Sequence, residues 1–194
     1  MSEARGTNAF VFGVSGHRDL VPEDLPELRE QLREIFRRYM KSQPNASFEL
    51  LTPLAEGADR IAAHEALAAG IKLVVPMPMT QVEYERDFTT AESLNEFRQL
   101  LQSAVSQFEV SDESAAPATT DRAQKYAAVG DYIAQKSDVL ILLWDGEDNQ
   151  KIGGTAWVKK RREHWCDLAK KNGNGGGLET VHLRTRRVAS LPRV

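Results

Sequence analysis

Sulfur chemistry is almost absent from this sequence of 194 residues, which has one cysteine, Cys166. A single cysteine cannot form a disulfide within the chain, so we expect a reducing, cytoplasmic environment. No apolar run approaches the ~20 residues that a membrane-spanning helix needs. The first ten residues, MSEARGTNAF, lack the apolar centre of a secretory signal. These absences predict a cytoplasmic protein that does not bind a membrane.

An excess of either charge is also missing, since 25 basic and 28 acidic residues leave a net charge of −3. We therefore expect no general attraction to nucleic acid. Only the end of the sequence, LRTRRVASLPRV, is basic. We interpret its last part, 186–194, as a solvated tail rather than a nucleic-acid-binding arm. Because no repeat or linker interrupts the chain, we predict one domain over 1–194, with a core over about 9–185.

Short apolar runs alternate along the chain with one-sided apolar patterns of helical spacing. The first strand starts at Ala9. The later predicted strands are 47–54, 71–79, a short one at Phe108 and Val110, 138–144 and 178–183. The predicted helices are 22–40, 55–70, 81–106 with a possible break at Thr89 and Thr90, 121–136 and 153–171; 111–120 and 172–177 are predicted loops. This alternation predicts an α/β fold, a Rossmann-like three-layer sandwich with a mostly parallel central sheet.

The stretch AFVFGVSGHRDL organises the chain, because its apolar start predicts the central strand of the sheet. We interpret Gly13 and Gly16 as the brackets of a tight turn that leaves amides uncovered. Ser15, His17 and Arg18 belong to the same turn, and the guanidinium fork of an arginine suits phosphate oxygens. The alternative is a strand-exit loop with solvated polar residues. His17 is a candidate general base or a hydrogen-bonded structural histidine.

Ligands of parallel sheets bind beyond the carboxyl ends of the strands, so we interpret the loops at those ends together. Two of these loops run directly into helices, whose first amides attract anions. The loops add these candidate phosphate or ligand contacts: Glu56, Gly57, Ala58, Asp59, Arg122, Asp145, Gly153, Gly154 and Thr155. Ordinary helix capping is the alternative for Asp59 and Thr155. Surface positions are the alternative for Glu56 and Arg122.

The aromatic side chains and the possible metal ligands also have a functional and a structural interpretation. Tyr126 and Trp144 are candidates to line a base site, and packing within the core is the alternative for both. Trp157 has the same two interpretations. Arg60 is a candidate ligand contact beside Asp59, and Asp131 lies on the same predicted helix as Arg122 and Tyr126. The histidines and the cysteine lack metal-ligand spacing, so we expect no metal site: His17, His64, His164, His182 and Cys166. A nucleophile elbow and a Walker phosphate loop are absent as well.

Five segments, in this order, resemble the SLOG superfamily: GVSGHRDL, LAEGADRIAAHEALAAG, VVPMP, YAAVGDYIAQKSDVLILLWDG and GGTAWV. This Rossmann-like group includes the LOG phosphoribohydrolases, the DprA proteins and the YpsA-like proteins. The resemblance covers roughly residues 9 to 160. It implies a nucleotide or nucleotide-derived ligand over the strand ends, frequent homodimerisation and, in several branches, a sensor role in bacterial conflict systems. Beyond this nucleotide we expect no cofactor.

The resemblance to LOG enzymes fails at one position of their PGGxGTxxE motif. Gly154 and Thr155 match the Gly-Thr, but Val158 stands where the family has its glutamate. Because general acid–base catalysis typically contributes 10²–10⁴-fold, the loss of that group favours a binding domain with a sensing or regulatory role. One alternative is a phosphoribohydrolase-like enzyme that cleaves a nucleoside monophosphate with another acid, from Asp145, Glu147 or Asp148. The second alternative is a protein-interaction module with a vestigial pocket.

Overall fold

The computed structural model describes residues 9–110, 121–148, 150–173 and 177–188. Its centre is a six-stranded sheet in the order β4-β3-β2-β1-β5-β6, in which every neighbouring pair is parallel. The strands are β1 Ala9–Gly16, β2 Ser47–Leu51, β3 Lys72–Met77, β4 Ala104–Glu109, β5 Val139–Trp144 and β6 Glu179–Arg184. The α-helices are α1 Leu25–Ser42, α2 Ala58–Ala68, α3 Gln81–Tyr84, α4 Ala91–Gln102, α5 Arg122–Lys136 and α6 Thr155–Lys171. The predicted Rossmann-like α/β architecture is confirmed.

Hydrophobic side chains cover both faces of the sheet. Successive residues of a strand point to opposite faces, so Phe12 packs on the side of α1, α2 and α4, whereas Val11 packs on the side of α5 and α6. Every residue of β5 is buried. Strands covered on both faces are continuous apolar runs rather than alternating ones, which is why VLILLW was readily identified in the sequence. The helix-covered sheet leaves its strand ends available for a site.

Strand β1 is longer than the sequence predicts and includes both glycines. Gly13 pairs with Leu51 of β2 and with Leu140 of β5, so the interpretation of Gly13 as part of a turn is wrong. A Cβ at Gly13 would lie 2.7 Å from a methyl carbon of Ile133 and 2.9 Å from Ser137. The glycine is therefore needed for the close packing of α5 on the central strand.

The region predicted as helix over 81–106 agrees with the sequence-based expectation only in part. The predicted break at Thr89 and Thr90 is confirmed, and the Thr90 side chain accepts a hydrogen bond from the amide of Ser93 as the N-cap of α4. However, α4 ends at Gln102, and β4 begins at Ala104 within the range predicted as helix. Half-buried and exposed residues alternate along this edge strand, which gives it a weak apolar signal. The predicted loop 111–120 lies outside the described residues.

The basic segment after β6 is attached to the protein for at least three residues. The Arg186 guanidinium pairs with Asp24 at 2.5 and 2.9 Å, and Arg187 Nε donates to Asp19 at 2.9 Å. The amide of Val188 donates to the carbonyl of Asp19 at 2.8 Å. Two carboxylates between β1 and α1 therefore hold residues 186–188, although Arg186 and Val188 remain exposed, so this segment is solvated but attached. Residues 189–194 lie outside the described part of the chain.

Candidate functional site

A cleft of about 540 Å³ opens at the carboxyl ends of β1 and β5. The chain leaves β1 toward β2 on one side, while β5 lies on the other side of β1, so the loops after the two strands diverge. Most predicted site residues line this cleft: Ser15, Gly16, His17, Arg18, Asp59, Arg122, Gly153, Gly154 and Thr155. The others are not among its lining residues: Gly13, Glu56, Gly57, Ala58 and Asp145. The expectation that separate strand-exit loops meet at one edge is met.

The loop after β1 rests directly on the start of α2. The amide of Ala58 donates to the carbonyl oxygen of His17 at 3.0 Å. Gly57 has a φ of 76°, and a Cβ there would lie 2.5 Å from the carbonyl oxygens of both His17 and Arg18. The first amide of α2 is therefore paired within the protein, and the interpretation of this helix start as a source of uncovered amides is wrong at Ala58. This contact between the start of α2 and the loop after β1 positions Arg18.

Gly57→Ala is expected to lower the free energy of unfolding by about 2–3 kcal/mol, compared with about 1 kcal/mol for Gly70→Ala. The two glycines have nearly the same backbone, with φ values of 76° and 78°, so the conformational strain is shared. Only Gly57 has carbonyl groups within contact of the added methyl, whereas nothing lies within 4 Å at Gly70. Urea unfolding of both variants measures the difference. Equal losses would show that the loop contact contributes nothing.

Helix α6 begins at the cleft without a side-chain cap. Gly154 is its N-cap and Thr155 its first residue, so the capping alternative for Thr155 does not hold. Gly153 has a φ of 74° and sits against Tyr126, where a Cβ would lie 3.1 Å from the tyrosine Cβ. Among the described residues no backbone acceptor pairs with the amides of Thr155 and Ala156. This helix start therefore offers donors and a partial positive charge to an anion.

Arg18 is exposed and lines the same cleft. Its guanidinium carbon lies 5.7 Å from the ring centroid of Tyr126. Within the described parts of the chain it makes no hydrogen bond or ion pair, so its donors are available to a ligand. Each of the other basic side chains that line the cleft already interacts with another group of the protein: His17, Arg122, Lys151 and Arg187.

His17 is held by Asp145 through its Nε2 atom. Nε2 lies 3.1 Å from the amide nitrogen of Asp145 and 3.0 Å from its Oδ1. An unprotonated Nε2 accepts from the amide and a protonated one donates to the carboxylate, so the ring is fixed in either state. Burial opposes ionisation of Asp145, but hydrogen bonds from the Glu147 amide and His17 outweigh it and keep the pKa of Asp145 below its usual value. The structural interpretation of His17 fits this geometry.

Several other candidate site residues form hydrogen bonds or ion pairs with other residues of the protein. Arg122 pairs with Asp87 and, at 3.4 Å, with Glu83. Glu56 accepts a hydrogen bond from Ser93, outside the lining of the cleft. The buried Arg60 binds the Leu54 carbonyl, Ser93 and Glu96, while Asp131 pairs with Arg161 and Trp165. Trp144 lines the cleft, and Trp157 does not.

Asp59 is the most unusual carboxyl group in the cleft. It is 5% exposed, and its Oδ2 accepts from the amide of Ala55 at 3.2 Å. Burial raises the pKa of Asp59 to about 7, although the Ala55 amide and the charges of Arg18 and Arg60 act in the opposite direction. This hydrogen bond comes from the loop before α2 and not from a helix amide, and Gly57 is the N-cap, so ordinary capping does not describe Asp59. A carboxyl with this pKa is also suited to proton transfer.

The position that is a glutamate in LOG enzymes is a buried apolar residue of the cleft lining in this protein. Val158 is 2% exposed and lines the cleft. It packs on Gly130 of α5, where a Cβ would lie 2.8 Å from a Val158 methyl. Asp148 pairs with Lys160 at 2.7 Å, and neither Asp148 nor Glu147 is part of the cleft lining. The replacement acids suggested by the sequence therefore do not reach the site.

The lining residues that the sequence analysis did not single out include Tyr84, Lys151 and Arg187. Tyr84 ends α3, the short helix that follows the third strand, and Lys151 lies two residues before the Gly-Gly pair, so their place after a strand was a usable signal. Arg187 meets Asp19 across 168 positions of sequence, and no local pattern could have shown it. Within the described chain no group of histidine, cysteine, aspartate and glutamate side chains could hold a metal ion, and no helix has the length and apolarity to cross a bilayer.

The fold is shared with DprA, the DNA processing protein A of Streptococcus pneumoniae. The two superpose with a TM-score of 0.53 at 12% identity, over 90% of this chain and 62% of the DprA chain. TM1055, a structural genomics target, gives a TM-score of 0.46 at 14% identity, over 81% of this chain and 70% of that one. No protein-family model and no curated protein matches the sequence.

The likeness to DprA confirms the Rossmann-like fold that the sequence motifs implied. At 12% identity it establishes the fold alone. This chain also spans less than two thirds of the DprA chain, so what the whole of that protein does is not transferred by the superposition.

Proposed function

We propose that this protein binds a nucleotide or a nucleotide-derived phosphate ligand in the cleft, in a sensing or regulatory role. One observation carries the proposal: the available guanidinium of Arg18 and the unpaired first amides of α6 line the same cleft from different elements. Both attract oxyanions, the first as a hydrogen-bonding cation and the second as a helix N-terminus. The volume of about 540 Å³ is within the ordinary range for small-molecule sites.

The class of ligand follows from charge and size. DNA processing is in the name of DprA, but here the net charge of −3 supports a small anion rather than nucleic acid. A homodimer remains a prediction of the sequence resemblance. Phosphoribohydrolase activity is the second candidate function, because Asp59 places one carboxyl with a raised pKa in the cleft. Release of ribose 5-phosphate from nucleoside monophosphates would establish that activity.

Arg18→Ala is expected to weaken binding of a nucleoside monophosphate at least tenfold, because hydrogen bonds to charged groups contribute about 1.5–3 kcal/mol. Isothermal titration calorimetry with the adenosine, guanosine, cytidine and uridine monophosphates gives the dissociation constants. Thermal unfolding supplies an independent measure, since a ligand at 100 times its Kd stabilises by about 2.7 kcal/mol.

Arg37→Ala is the matched control for this experiment. Arg37 lies on α1, is largely exposed and pairs with Glu34 outside the cleft, so its removal changes net charge by the same amount. We expect nucleotide affinity within twofold of the wild type. Equal affinities of the Arg18→Ala and wild-type proteins would contradict the proposed site, and a wild type that binds none of the four nucleotides would favour a vestigial pocket.

A further inference from the structure

Two tyrosine hydroxyls in the wall of the cleft lack a hydrogen-bond partner. The hydroxyls of Tyr84 and Tyr126 are buried and unpaired within the described structure. Tyr84 has no exposed surface, both residues belong to the cleft lining, and their rings meet edge to face with centroids 6.2 Å apart. The large majority of buried side-chain polar atoms in proteins have a hydrogen-bond partner. Phenylalanine would fill the same space without this cost, so packing does not explain the pair.

Other unpaired buried atoms have a different character. Arg60 Nη2 and Arg162 Nε belong to guanidinium groups whose remaining nitrogens are hydrogen-bonded to protein. Neither arginine lines the cleft, and nor does Thr185. The two unpaired phenols therefore stand out because they lie together at the candidate site.

A third polar group completes the same side of the cleft. Asp59 also lines it, and its negative charge acts on Tyr84. Burial first, and then the charge of Asp59, raises the pKa of Tyr84, so its hydroxyl stays protonated and can both donate and accept. Thr155 and Gly154 belong to the loop and helix after β5, whereas Asp59 and Tyr84 belong to the helices after β2 and β3. Tyr126 of α5 connects the two groups, because it packs against Gly153 and its ring meets that of Tyr84.

We infer that Tyr84, Tyr126 and Asp59 form a second subsite, which holds the uncharged nucleoside half of a nucleoside phosphate. The inference rests on the proposed function, because Arg18 and the start of α6 hold the phosphate. Sugar hydroxyls and base edges carry donors and acceptors that satisfy a phenol and a carboxyl at once.

Arg18 connects the two subsites. It lies over the ring of Tyr126, is exposed and has no ion pair with described residues, so it can move toward a phosphate without breaking a salt bridge. The Tyr126 hydroxyl is buried in this structure, so a ligand reaches it only when a side chain of the cleft moves.

Tyr84→Phe and Tyr126→Phe test the inference, with Tyr39→Phe as the matched control. Tyr39 lies on α1 outside the cleft, and its hydroxyl accepts from Arg38 at 2.8 Å. We expect Tyr84→Phe to unfold at the same or a higher temperature without ligand, because an unpaired hydroxyl has been removed. Calorimetry should show about tenfold weaker binding of the best of the four nucleoside monophosphates for each cleft variant. Binding of inorganic phosphate should be unchanged, and Tyr39→Phe should bind both probes as the wild type does.

The outcomes separate this inference from the proposed function. If Arg18→Ala weakens nucleotide binding while both cleft tyrosine variants retain it, the second subsite is refuted and the phosphate site stands. An equal loss of phosphate and nucleotide affinity in Tyr84→Phe would also refute it, since the effect would then be a general distortion. If the wild type binds neither inorganic phosphate nor any of the nucleotides, the proposed function fails first.

Discussion

Arg162→Met is expected to lower the free energy of unfolding by about 3–5 kcal/mol, because a buried polar group left without its partner costs about 1–3 kcal/mol. Arg162 is 1% exposed, and its guanidinium donates four hydrogen bonds to backbone carbonyls rather than to a carboxylate. The acceptors are Ala134 at 2.8 Å, Ser137 at 2.7 Å, Asp138 at 2.8 Å and Glu179 at 2.8 Å. Methionine fills much of the same space but leaves all four carbonyls without this partner.

The position of Arg162 explains why one side chain has so large an effect. The last carbonyls of a helix lack partners within the helix and carry its partial negative charge. Arg162 binds those at the end of α5 and joins them to the starts of β5 and β6. Burial lowers the pKa of Arg162, and the nearby Cys166 and Asp138 act against this shift. Arg162 itself lies on α6, whose first residues carry the proposed phosphate site.

Urea unfolding tests this prediction with two comparison variants. Arg162→Lys should recover part of the loss, because an ammonium group has only three donors and lacks the planar fork. Arg161→Ala is the control, since its neighbouring guanidinium pairs with Asp131 at a partly exposed site where about 1 kcal/mol or less is expected. Similar losses for Arg162→Met and Arg161→Ala would contradict the assignment.

The second large expected effect is the pH dependence of the free energy of unfolding that Asp59 causes. The pKa of Asp59 is about 7 in the folded protein, because the carboxyl is buried, against 3.8 for the ordinary group. Between these pH values the folded protein retains a proton that the unfolded chain has released, so unfolding becomes easier as the pH rises. The stabilising contribution is complete below pH 3.8 and is lost as the pH rises to about 7. At 1.36 kcal/mol per unit it amounts to about 4 kcal/mol.

Asp59→Asn should remove this dependence, because the amide stays neutral and can still accept from Ala55. The measurement is the free energy of unfolding of both proteins from pH 4.5 to pH 8. The difference between them should move in favour of the variant as the pH rises. Asp145→Asn is a control without a slope in this range, since hydrogen bonds hold the pKa of Asp145 below its usual value of 3.8 and its contribution is lost only at lower pH. Parallel curves for Asp59→Asn and the wild type would contradict the raised pKa.

The architecture was predictable because it depends on the periodicity of apolar residues. Alternating apolar runs and amphipathic patterns gave the parallel sheet, and VLILLW identified a strand buried on both faces. Once the strands are parallel, their carboxyl ends must meet at one edge. The convergence of Arg18, Asp59 and Thr155 on one cleft therefore followed from the order of elements.

The sequence by itself thus determined the layers, the strand directions and the edge where a site could form. Tertiary structure alone decided which side chains are available there: the Ala58 amide is bound by His17, Arg122 by Asp87, and Arg18 is left available. It also decided that Tyr84 and Tyr126 lack partners, and that Arg187 meets Asp19. The physical reason is that hydrophobic periodicity is a local property, whereas pairing of polar groups depends on how distant helices and loops pack against the sheet.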